Sequence, residues 1–307
     1  MASLFQVALQ SWSFPIWLSV SMLFTALLYL RGWLRLRAAV VTAIPAWRAG
    51  SFVIGLLLIW SAIGSPLARL DEELLSVHMI QHLLLMTIAP PLLWLGAPAM
   101  PFLHGLPQRF VQAVVGPLLR EPLVQRLGRA LGQPAFCWLA ATAALVGWHI
   151  PAAFTLALHS EAWHVFEHAS FLTTGLLFWW PVVQPWPIAA VSPRWSILLY
   201  LFLATLPCDI LSGFLVFSER VVYPVYFSAS PHFGLTVLSD QELAGALMWT
   251  SVTVVYLIPA AILTAKLLAP RSSVEHELAQ AELRHGAVSQ SNPRGLDAVW
   301  ARGRGPG

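Results

Sequence analysis

The sequence predicts an all-α fold, a polytopic membrane helical bundle of seven transmembrane helices with its N-terminus outside and its C-terminus inside. Three observations predict it. The 307 residues are 58% hydrophobic and 10% charged, where a soluble globular domain carries about 25% charged residues. Seven continuous apolar stretches approach or exceed the roughly 20 residues that a helix needs to cross a bilayer, and they lack the alternating pattern of barrel strands. Finally, with the N-terminus outside, every one of the 17 Lys and Arg except Arg69 and Arg220 falls on the inner side, as the positive-inside rule requires.

The first span lies near 16–34. The fifteen residues before it contain no Lys or Arg, so they lack the basic region of a signal peptide and the helix reads as a retained anchor. Spans near 50–67 and 74–97 follow. The inner loop 99–132 is rich in Pro, Gly and Arg; Leu118–Leu131 is expected to form a helix on the membrane surface, its arginines beside anionic lipid headgroups. The fourth, fifth and sixth spans fall near 133–151, 163–182 and 195–217. The outer loop 218–241 is aromatic, a candidate lid. The seventh span, 242–268, is preceded by Ser239, which with Glu242 makes a capping box. Residues 1–268 thus form a transmembrane domain, and the polar stretch 269–307 reads as a disordered cytoplasmic tail with a short helix at Val274–His285.

Several features are explained by the membrane alone. Trp12, Trp17, Trp33, Trp148, Trp163, Trp179 and Trp180 fall near span ends, as in an aromatic belt. Cys137 and Cys208 lie about 14 Å apart in depth at 1.5 Å per residue, too far for a disulfide. The net charge of +3 is accounted for by topology, so the partner it implies is the lipid bilayer and no nucleic acid.

The chemistry rests on histidine. His78/His82 and His164/His168 are two pairs at four-residue spacing, which sets imidazoles about 40° apart around a helix and about 6 Å apart along it. His149 ends the span between them. Topology places all five at the outer ends of three helices, and ionisable groups in a span are costly enough to mark function. Glu167 is expected to ligate or to orient an imidazole through its second nitrogen. Asp240 is a site residue by position, with helix capping as its structural competitor. Asp209, within the sixth span, needs a partner, a cluster histidine or a coordinated cation being the natural one. His104, His159 and His232 read as ordinary interfacial histidines.

Imidazole suits zinc, copper and iron, while thioethers favour Cu(I); Met86 continues the His78/His82 stripe four residues on, Met79 lies three residues before His82, and Met248 lies in the last span. Haem held by one histidine of each pair, as in an integral b-type cytochrome, is the alternative cofactor, and a metal-independent scaffold is a further one. The only lysine, Lys266, lies at the inner end of the last span, which excludes a retinal-type protein. No nucleophile–base pair suggests an enzyme.

The motifs resemble a known family. His78-Met79-Ile80-Gln81-His82-Leu83-Leu84-Leu85-Met86 with Ala89-Pro90-Pro91, then Trp148-His149-Ile150-Pro151, His164-Val165-Phe166-Glu167-His168 and Asp240-Gln241-Glu242 with Met248-Trp249 are similar, in order, to blocks of the CtaG family of caa3-type cytochrome c oxidase assembly factors. The likeness covers about residues 50–268. It implies a bacterial plasma (inner) membrane protein that helps copper, one or two ions, reach the catalytic subunit of a cytochrome c oxidase. A periplasmic copper donor would supply it. His78, His82, His149, His164 and His168 would be ligands, with Asp240 and Glu167 as supporting or additional ones.

Overall fold

The computed structural model describes residues 15–39, 45–184, 194–228 and 234–268. Among these it is 88% helical, with no strand. The chain divides into a unit Met1–Leu263, which contains everything discussed below, and a unit Thr264–Gly307, described only as far as the helix end at Leu268. The tail and its expected helix at Val274–His285 lie outside the described residues.

The long helices are α1 (Ile16–Ala39), α2 (Ala46–Gly64) and α3 (Leu75–Leu95), followed by the shorter α4 (Ala99–Gly105). Short helical segments lead to α5 (Pro122–Leu131), α6 (Pro134–Trp148) and α7 (Pro151–His159). Then come α8 (Glu161–Val183), α9 (Arg194–Phe217) and α10 (Val237–Leu268).

Among the described residues, five helices are long and apolar enough to cross a membrane: α1, α2 with the turn after it, α3, α9 and α10. A sixth crossing is available if α5 and α6, bent by 64°, count as one. The expected seven differ for two physical reasons. α6 has only 15 residues, about 22 Å at 1.5 Å each, because Pro151 restarts the chain as α7. α8 has 23 residues, but Glu161, His164, Glu167, His168 and its hydroxyl side chains lower its hydropathy.

α3 is not a regular helix. Pro90 has no N–H, and its ring clashes with the carbonyl four residues back, that of Met86. The chain responds with a π-helical stretch at Leu83–Ile88, in which the N–H of Ala89 reaches back to Leu84. Gly175 of α8 packs into this stretch so closely that a Cβ there would lie 2.7 Å from the Met86 oxygen. Elsewhere Gly32 of α1 meets the Pro101 backbone of α4, and Gln81 Nε2 of α3 donates to Ala62 O of α2 at 2.9 Å.

The start of α10 departs from expectation. The helix begins at Val237, and Thr236 Oγ1 accepts the Ser239 N–H at 3.1 Å. Thr236 is therefore the cap, in place of the Ser239–Glu242 box, and Asp240 already lies in the helix and is free to act elsewhere.

Candidate metal centre

Three helix ends meet at the histidines. The first turns of α3 supply His78 and His82, the first turns of α8 supply His164, Glu167 and His168, and His149 follows the last residue of α6. Neighbouring ring centroids are close: His78–His82 4.2 Å, His164–His168 4.3 Å and His78–His164 5.8 Å. His82 lies 6.2 Å from His149 and 6.0 Å from His168. The structure therefore brings together all five imidazoles singled out by spacing.

Two carboxylates enter among them. Glu167, fully buried, places Oε1 3.7 Å from His78 Nε2 and 3.5 Å from His82 Nε2. Asp71, also fully buried, places Oδ2 3.4 Å from His164 Nε2. Asp71, His78 and His164 form one trio of donor atoms within 4.8 Å of one another, and His78, His82 and Glu167 form a second. His78 belongs to both. Ligand atoms about 2.1 Å from a tetrahedral ion stand about 3.4 Å apart, close to the three carboxylate–imidazole distances of 3.4–3.7 Å.

The polar accounting points the same way. Both ring nitrogens of His78 and His82, Nε2 of His149, His164 and His168, and both oxygens of Asp71 and Glu167 are buried without a hydrogen-bond partner. Leaving such a group unsatisfied costs about 1–3 kcal/mol, and native proteins hold only a few per hundred residues. Cation ligation uses these lone pairs. His149 is already oriented for it: Nδ1 lies 2.7 Å from Leu145 O, and a carbonyl only accepts, so Nδ1 carries the proton and Nε2 of the neutral ring keeps its lone pair.

Supporting contacts fix these groups from a distance. Tyr223 donates to His149 O and Tyr226 to Asp71 O, both at 2.9 Å, and Phe154 packs between His78 and Tyr223. The outer-loop aromatics expected as a lid thus reach the site; Pro231, His232 and Phe233 lie outside the described residues. Asp71 stands in the connector before α3, where burial pushes its carboxyl up to about 6 while His78 pulls it down.

The family model for the cytochrome c oxidase caa3 assembly factor matches residues 27–269. The chain belongs to that family. The chain is also 23% identical over 280 residues to an uncharacterized protein of Mycobacterium leprae, a match covering 89% of this chain and 41% of that one. Uncharacterized proteins of Mycobacterium bovis and Mycobacterium tuberculosis are each 28% identical over 239 residues, covering 70% of this chain and 34% of theirs. The chain therefore spans less than half the length of these relatives. No solved structure matches it.

The other residues selected from the sequence sit apart from the trios. Asp240 accepts from the N–H of Leu75 at 2.6 Å, from the N–H of Ser76 at 3.3 Å and from the Ser76 hydroxyl. It caps α3, whose own N-cap position, Leu74, offers no side-chain oxygen. Asp209 has a buried Oδ1 without a hydrogen-bond partner, and no contact joins it to the histidines. His104 and His159 are exposed.

Asp71 is the residue that sequence reasoning missed. Its signal was faint: seven residues before His78, it shares that helical face only if α3 ran two turns further back. The run Asp71-Glu72-Glu73 otherwise reads as a solvated connector.

Proposed function

We propose that this assembly factor binds copper at the imidazole–carboxylate cluster and passes it to the catalytic subunit of the haem–copper oxidase. The cluster then faces the outer, periplasmic side of the bacterial plasma membrane, where a soluble copper donor supplies the ion. The reading includes a seven-crossing, N-out topology, which the loop distribution of Lys and Arg supports. The observation that carries it is the pair of trios sharing His78, each with its donor atoms within 4.8 Å of one another, a set of ligands for one or two ions. Asp240 then acts by positioning α3, and Glu167 and Asp71 act as ligands.

Metal analysis of the detergent-purified protein tests this. Replacing His78 and His164 together by Ala should remove most bound copper, and unchanged copper content would overturn the site and leave a metal-independent scaffold. A visible spectrum of the same sample bears on the b-type cytochrome reading. The cavity beside the cluster is about 40 Å³, far below the roughly 300 Å³ or more of an organic cofactor pocket, so no Soret band is expected.

A further inference from the structure

The cavity of about 40 Å³ borders the cluster on its inner side, since His82 and His149 both line it. Four of its other side chains carry sulfur, Met79 and Met86 from α3, Cys208 from α9 and Met248 from α10, beside the hydroxyls of Thr87, Thr142 and Tyr256. The whole chain has six Met and two Cys. Half of them line a cavity bounded by 17 residues, about one residue in eighteen of the chain. Methionine commonly fills gaps in cores, but here four sulfur side chains border a space that they leave open. At about 10–15 Å³ per water centre, that space admits two or three waters or an ion. The buried Nε2 atoms of His82 and His149 are unpartnered at its rim, and so is the indole N–H of Trp138.

Donor softness changes in one direction through the bundle. Asp71 and His164, the latter 22% exposed, form the most accessible trio. The fully buried His78 and Glu167 follow with His82, then His82 with His149, and finally thioethers and a thiol. Thioether ligands favour Cu(I), whereas thiolate also suits zinc, so the preference for Cu(I) rests on the three methionines. The surroundings add a second filter, because moving a divalent ion into an apolar interior costs far more than moving a monovalent one.

We propose that the sulfur-lined cavity is a Cu(I)-holding chamber, fed from the imidazole cluster through His82 and His149. This rests on the reading of the cluster as a copper site and deepens it: the ion is held and passed on in its reduced form, and divalent ions stop at the imidazoles.

The test uses full-length protein in detergent, loaded anaerobically with Cu(I) and, separately, with Zn(II). X-ray absorption of the Cu(I) sample should show sulfur neighbours at about 2.3 Å besides nitrogen at about 2.0 Å, the distances reported for these donors on the d¹⁰ ion zinc. The triple variant Met86→Leu, Met248→Leu, Cys208→Ser, which keeps only Met79 of the four sulfurs, should lose most of the sulfur signal and one Cu(I) equivalent per chain. Its Zn(II) affinity should stay within twofold, which also reports an intact fold. If the triple variant misfolds, Cys208→Ser alone should weaken the sulfur signal. Wild-type Cu(I) bound by nitrogen alone, or equal Cu(I) capacity in wild type and variant, would overturn the chamber as a merely hydrated cavity while leaving the cluster standing. A His78→Ala, His164→Ala protein that loads both ions normally would instead overturn the cluster.

Discussion

At the scale of single residues, the site is a set of lone pairs held ready by partners outside it. His149 illustrates the principle, since its bond to Leu145 O fixes which nitrogen keeps the lone pair that a metal would take. Asp71 carries the pH dependence. Its carboxyl is raised to about 6 by burial, against His78, with Glu72 adding to the rise; the groups facing it are His78, His164 and Tyr226. A carboxyl raised in the folded state favours folding of the metal-free protein below its unfolded value of about 3.9. That contribution, on the order of 3 kcal/mol, is lost as pH rises through about 6. Metal requires the deprotonated carboxylate, so copper affinity should rise across the same window. Asp71→Asn should weaken binding about 10–100-fold and abolish that step, as read by competition titration from pH 5 to 7.5. The histidines were legible because spacing and span depth are local properties. Asp71 was not, because the contact that holds its backbone at the site comes from Tyr226, 155 residues away.

At the scale of elements, two joints keep the histidine-bearing helices in register. One is the π-helical stretch of α3 against Gly175. A larger side chain there meets backbone atoms of Met86 at 2.7 and 2.8 Å, which cannot swing away. Gly175→Leu should therefore cost about 1–3 kcal/mol and lower both the thermal midpoint in detergent and the copper content, by pushing Glu167 and His168 away from α3. The other joint is Asp240 at the start of α3. Asp240→Ala should destabilise by about 0.5–2 kcal/mol, and Asp240→Asn, which keeps an accepting oxygen, should recover part of the metal affinity as well. Pro90 and Pro91 announced a disturbance in α3 but not its form, since a kink, a break and a π turn all relieve the same clash. Capping of α10 was misplaced by three residues, because nothing local distinguishes Thr236 from Ser239 as the first residue outside a helix.

At the scale of the whole molecule, membrane character was plain from composition, while the number of crossings was harder to read. The helix that brings most of the chemistry, α8, is too polar to score as a span for the very reason that it builds the site. Orientation can be measured directly: Cys137 and Cys208 are buried, so an added surface cysteine reports alone. Arg69→Cys should react with a membrane-impermeant maleimide on intact cells, and Arg126→Cys only after permeabilisation; the reverse pattern would invert the topology. The strap of Tyr223 and Tyr226 also has a kinetic consequence. With His149 and Asp71 tied down beneath it and His78 sealed, His164 is the only imidazole of the cluster with appreciable exposure. Exchange would then run through one narrow doorway, so a small stripping agent such as cyanide should outpace a bulky chelator of equal affinity. Release would proceed by direct hand-over at His164 and not by escape into bulk water.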